Sequence, residues 1–138
     1  MGPVELLVPV SVGELLDKIA ILEIKSERIA DPAKRANVLR ELTALREVWE
    51  RSPLAGLDLG SLRAELKAVN ERLWDIEDAI RDKEREQCFD AEFVALARSV
   101  YLENDERARI KREINLRSGS ALVEEKSYRE YRRDRAAG

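Results

Sequence analysis

The stretch "LRAELKAVNERLWDIEDAI", Leu62 to Ile80, decides the fold. Its apolar residues Leu62, Leu66, Val69, Leu73, Ile76 and Ile80 follow one another at alternating spacings of four and three. A helix turns about 100° per residue, so this spacing puts all of them on one face, whereas a strand would need a period of two. The pattern predicts a helix from about Ser61 to Glu86. The same spacing is that of a coiled-coil seam. It therefore also allows this helix and the next to form a long hairpin that dimerises.

Working outward, the chain breaks into similar units. Upstream, Val38, Leu42, Leu45 and Trp49 form a second stripe, widened by Leu39, that no charge interrupts. Asp31 and Pro32 suit a helix cap and first turn, so this helix spans Pro32 to about Arg51. The loop "SPLAGLDLGS" separates it from Leu62. Further back, Ser11 and Glu14 form a capping-box pattern, in which the serine binds the third amide and the glutamate reaches back. That opens a helix from Val12 to about Ala30. Downstream, "QCFD" is a tight connection, Asp90 caps a helix running to about Arg117, and Gly119 stops it. Helices joined by short connections pack as antiparallel neighbours. The expected fold is all-α, an antiparallel four-helix bundle or long helical hairpins, in one domain over residues 1–138. Residues 1–10 form an extended segment, 11–118 the bundle and 119–138 a tail. The extended segment contains "VELLVPV". It has two candidate partners, a second copy of itself and "SGSALVE" near the C-terminus, and a third arrangement lays it across the helices without pairing. The tail has room for one more short helix, and its Arg129, Arg132, Arg133 and Arg135, near two tyrosines, read as solvated, with contact to an anionic surface as the alternative.

Composition narrows the function. The 138 residues are 38% charged and 5% aromatic, with a net charge of −3. No nucleic-acid partner is expected without a basic surplus. The chain lacks histidine, which removes Ser-His-Asp and Cys-His nucleophile systems and most zinc sites. Cys88 is the only cysteine, so neither a disulfide within the chain nor a thiolate-bound metal centre is expected. No metal or cofactor is expected. The lone thiol suits a reducing, cytoplasmic setting. The start "MGPVELLVPV" has no basic region of a secretory leader, and no apolar run reaches the roughly 18 residues of a membrane span.

Some polar residues interrupt the stripes. Glu23 projects between Val12, Leu16 and Ile19. In the third helix Asn70 borders the stripe, Glu77 flanks it and Glu84 falls inside it. In the fourth, the face of Phe93, Leu96, Ala97 and Val100 continues as Asn104, Arg107, Lys111 and Asn115. Stacking the helices at about 1.5 Å per residue puts Glu23 level with Leu73 and Asn104, with Asn70 and Arg107 a turn to one side and Glu77 a turn to the other. Carboxylates from two helices would then meet an amide and a guanidinium near mid-bundle. Two readings stay open. One is a structural network that sets helix register. The other is a site: Arg107 and Lys111 hold an anionic small molecule, Asn70 and Asn104 line the seat, and Glu23 or Glu77 serves as catalytic base or helps to hold a divalent cation. Trp74 and Tyr101 would flank the entrance. Asp17, Lys18, Lys25 and Arg28 fall on the opposite, solvent face of the first helix, where Ile21 and Ile24 hint at a partner helix.

The segments "VGELLDKIAILEIKSERI", "LWDIEDAIRDKE", "VYLENDERARIKREIN" and "EEKSY" resemble, in that order, a family of small bacterial proteins known as a domain of unknown function. The resemblance covers Ser11 to Tyr128. It implies no activity, cofactor or catalytic residue, and it places such proteins near surface-polysaccharide or glycosyltransferase functions. "EVWE" has the E-x-x-E spacing of magnesium-dependent helical pyrophosphatases, but it lies off the apolar stripe and lacks the second acidic pair. A likeness of Leu62 to Arg81 to helical chorismate mutases is generic helix composition. The expected function is a non-catalytic accessory or interaction module that forms a homodimer and is open to a further protein partner. The alternative is a small-molecule-binding protein or enzyme with an acid/base cluster in the bundle.

Overall fold

The computed structural model describes residues 2–132 and contains four helices, with no strand among the described residues. They are α1 (Val12–Arg28), α2 (Pro32–Arg51), α3 (Gly60–Arg85) and α4 (Ala91–Ser118). Local chemistry sets their ends. The Ser11 hydroxyl accepts from the Glu14 amide at 3.1 Å, Asp31 caps α2 through the Lys34 amide at 2.9 Å, and Asp90 caps α4 through the Phe93 amide at 3.0 Å. Gly119 ends α4 in the left-handed region with φ 66°, where a residue without Cβ carries no steric cost. The capping box at α1 is half made. Glu14 turns its carboxylate to Lys111 at 2.7 Å rather than back to the helix start.

The helix bundle is uneven, with α1 at its centre. It lies against α2, α3 and α4, while α2 runs close to α1 alone. Trp49 carries the end of α2 toward α3, its ring 5.7 Å from the Arg63 guanidinium. The burial of α1 reflects this position: Gly13, Leu16, Asp17, Ile19, Ala20, Leu22 and Ile24 are all buried. A helix on the rim of a bundle would bury one stripe. With three neighbours α1 buries most of its circumference, so the second apolar stripe carrying Ile24 packs within the chain. The core joins Leu16, Ile19 and Leu22 of α1 to Val38, Leu42 and Trp49 of α2, Leu62, Leu66 and Val69 of α3, and Ile110 and Ile114 of α4.

The α3–α4 hairpin outruns this core. At 26 and 28 residues these helices far exceed the 17 of α1. Arg72 meets Glu103 at 3.0 Å, and at the far end Lys83 ties Asp90 at 3.0 Å and Glu92 at 3.1 Å. The Phe93 amide and the Lys83 ammonium hold the Asp90 carboxyl at about 2, below its ordinary 3.8. Between those points Ile76, Ile80, Phe93, Leu96 and Val100 stay partly exposed, because no third helix covers them.

The two termini leave the helices together, where the Val12 amide donates to the Ser120 hydroxyl at 3.1 Å. Residues 2–10 form no helix and are exposed. The C-terminal segment holds no helix through residue 132. It folds back along α4, pairing Glu125 with Arg112 at 3.2 Å and Lys126 with Asp105 at 2.7 Å. Arg129 and Arg132 are exposed there, and Arg133 and Arg135 lie outside the described residues. Among the described residues no helix is long and apolar enough to cross a membrane.

Candidate functional site

Polar groups from three helices meet inside the protein, but the charges come from α1 and α4 with only a neutral amide from α3, and the carboxylate at the centre belongs to Asp17, which is 1% exposed. Its oxygens accept from Asn70 Nδ2 of α3 at 2.8 Å and from Arg107 Nε of α4 at 3.1 and 3.2 Å. A second guanidinium nitrogen of Arg107 completes a two-pronged contact, the geometry that suits arginine and a carboxylate best. Asn70 also donates to the Leu66 carbonyl at 3.1 Å, which fixes its amide. Next to this group, Lys111 reaches Glu14 and Glu124 at 2.7 Å each and Asp17 at 3.8 Å. The hydrogen bond to Asp17 raises the Arg107 pKa against the effect of burial. Burial works to lower that of Lys111, but the bonds to Glu124 and Glu14 outweigh it and the value rises.

A second set of contacts locks α1 onto the end of α4. The Gly13 amide donates to Asn115 Oδ1 at 2.7 Å, so the first amides of α1 are held by Ser120, Asn115 and Ser11 side chains. These are the donors a helix start otherwise leaves open to an anion. Among the described residues every buried side-chain nitrogen and oxygen has a partner. With Lys18, 3.7 Å from Glu14, three cations (Lys18, Arg107 and Lys111) face three carboxylates, Asp17, Glu14 and Glu124. The cluster is matched in charge without any added ion.

The residues singled out in the sequence separate into two groups. Asn70, Arg107 and Lys111 come together around Asp17. Asn104 and Tyr101 line a cavity of about 1020 Å³ between α4 and residues 124–131, with Arg107 and Lys111 in its wall. The Tyr101 ring meets that of Tyr131 edge-on at 4.8 Å. Glu23, Glu77 and Trp74 lie elsewhere. Glu23 pairs with Arg46 of α2 at 3.3 Å and Lys67 of α3 at 3.8 Å, and does not meet α4. Glu77 is exposed and pairs with Arg81 at 3.4 Å, and Trp74 stacks under Arg28 at 5.7 Å. The expected levels shift because α1 presents Asp17, not Glu23, to the seam between α3 and α4. Sequence reasoning put Asp17 in solvent. The signal that could have placed it inside is Gly13, Asp17, Ala20 and Ile24, a stripe at spacings of four, three and four.

Glu23→Leu is accordingly expected to move stability by less than about 1 kcal/mol, since its pairs are partly solvated. Urea unfolding measures this directly, and a loss comparable to that of a buried ion would contradict the placement.

No curated protein matches the chain, and no solved structure matches it. A family model does match, over residues 6–133. That span takes in all four helices and every residue of the Asp17 cluster. The protein belongs to this family of unknown function, DUF6165.

Proposed function

We propose that the protein is a non-catalytic interaction module that associates with a second copy of itself. The observation that carries this reading is a contrast. The polar cluster is satisfied by its own partners and matched in charge, while apolar side chains stand uncovered at the surface. Asp17, Arg107 and Lys111 satisfy one another and their neighbours, leaving no group poised to take a proton from a substrate. Val4, Leu6 and Leu7 are each more than 80% exposed, and Val94 and Phe89 on the hairpin are each 53% exposed. The two groups stand at opposite ends of α4, and uncovered apolar clusters of this kind mark interaction sites. An accessory role beside surface-polysaccharide synthesis rests on the family resemblance of the sequence. Sedimentation velocity across the micromolar range tests the association. A species of twice the chain mass, growing with concentration, is expected, and a monomer throughout would end the reading.

One observation favours the second reading, an anionic small molecule beside Arg107 and Lys111. The cavity there is roomy, and Glu124 is its most exposed carboxylate partner. A phosphate could sit on Lys111 only by displacing Glu124. Thermal-shift titration with inorganic phosphate and sugar phosphates is expected to leave Tm unchanged. A saturable rise that Lys111→Met removes would favour the ligand reading instead.

A further inference from the structure

Residues 4–10, "VELLVPV", are exposed, form no helix and have no ladder partner among the described residues. The partner available within the chain is already engaged. Ser120 binds Val12 and Leu122, Glu124 binds Lys111 and Lys126 binds Asp105, so the C-terminal segment is held along α4.

Parity shows what the free segment is built to do. In a strand the N–H and C=O of alternate residues point to opposite edges. Pro3 and Pro9 both sit at odd positions and strip donors from one edge. Val4, Leu6, Val8 and Val10 supply the other edge with every donor intact. Those same four residues share one side-chain face, and all are apolar. The segment is thus competent to pair once, on one edge only. An antiparallel ladder with its own copy uses that edge fully when the two-fold axis passes between the two Leu7 residues. Val4 then pairs with the partner's Val10, and Leu6 with the partner's Val8. No ladder donor is missing in this register, and Glu5 faces Pro9 rather than a like charge. The proline-bearing edges point outward and block a further strand, as protected edges do.

We infer that the N-terminal segments of two copies pair in this register, forming a two-stranded ribbon that joins two helical bodies. This rests on the self-association proposed above and assigns it a seam. The bodies do not collide, because eight residues separate the two Ser11 positions along the ribbon, roughly 26 Å. A bare two-stranded ribbon is marginal in water, so its apolar face needs a seat. Leu116, Leu122 and Val123 are exposed within a few residues of the point where the segment leaves the helices. The expected dimer is closed and of modest affinity.

The test compares two prolines in the full chain. Leu6→Pro removes a ladder donor, and Leu7→Pro removes the same kind of side chain together with a donor on the outward edge, which the ladder does not use. Both positions are exposed in the monomer, and circular dichroism should show unchanged helix content in each variant. Sedimentation is expected to show dimer for the parent and for Leu7→Pro. Leu6→Pro should raise the dissociation constant roughly thirtyfold, two donors being lost per dimer. Hydrogen exchange in the dimer should protect the amides of Val4, Leu6, Val8 and Val10 and leave those of Glu5 and Leu7 open. A dimer that both prolines leave intact, or that both weaken equally, overturns the ladder while the association stands. A monomeric parent overturns both.

Discussion

Asp17→Leu is expected to destabilise the protein by about 3–5 kcal/mol, the range for breaking a buried ion pair from one side. The leucine fits the site in bulk, so the loss comes from what remains. Arg107 keeps its charge beside an apolar core, Asn70 loses one of its acceptors, and Lys111 loses its neighbour at 3.8 Å. The Arg107 side chain is 29% exposed and can swing part of its guanidinium into water, which favours the lower end of the range. Asp17→Asn keeps an oxygen for Arg107 and should cost less than the leucine. Asp17→Leu combined with Arg107→Met removes both charges and should recover much of the loss, since buried pairs often exchange for apolar residues at little net cost. Asn70 would still hold the Leu66 carbonyl in that double variant. Urea unfolding of the parent, Asp17→Leu, Arg107→Met and the double variant gives the coupling energy. A loss below about 1 kcal/mol for Asp17→Leu would show that the convergence of charges contributes little to the fold.

Gly13→Ala is expected to cost about 2–3 kcal/mol, although alanine favours a helix over glycine by about 1 kcal/mol. A Cβ at Gly13 would stand 2.6 Å from the Lys111 carbonyl oxygen and 3.0 Å from Asn115 Oδ1. The first of these is backbone inside α4 and cannot rotate away. α1 would have to lift off α4, stretching the Gly13 to Asn115 hydrogen bond at the same time. Asn115→Ala tests that bond alone, with the glycine kept. If Gly13→Ala is as stable as the parent, α1 does not pack this closely on α4 in solution.

Most of the helix layout was legible in the sequence, because helix ends are local chemistry. Ser11, Asp31, Asp90 and Gly119 each do what their residue type does at a helix end, and the structure sets the ends within two residues of expectation. The start of α3 was less clear. Leu59 caps it without a side-chain bond, while Asp58 supports the Gly60 amide from two residues back at 3.4 Å. The polar face of α4 was legible too, since apolar residues give way to Asn104, Arg107, Lys111 and Asn115 on one stripe. What did not follow was the carboxylate they meet. Choosing between Glu23 and Asp17 requires the number of helices packed around α1, a tertiary fact. One helix with two buried stripes reads from sequence as one core face and one docking face. Glu124 was invisible for a related reason, because the path of the C-terminal segment depends on a groove formed by residues far away in the chain.

The pairing of Asp17 with Arg107 spans 90 positions, and that of Gly13 with Asn115 spans 102. A ribosome releases the first helix long before it releases the surface that receives it. During most of synthesis α1 has only α2 and then α3 to shelter its apolar residues, and its aspartate stays hydrated until the last helix emerges. Closure of the molecule therefore waits until α4 has emerged. A prematurely truncated product that stops before Arg107 would keep an open seam, a ready target for proteolysis and aggregation.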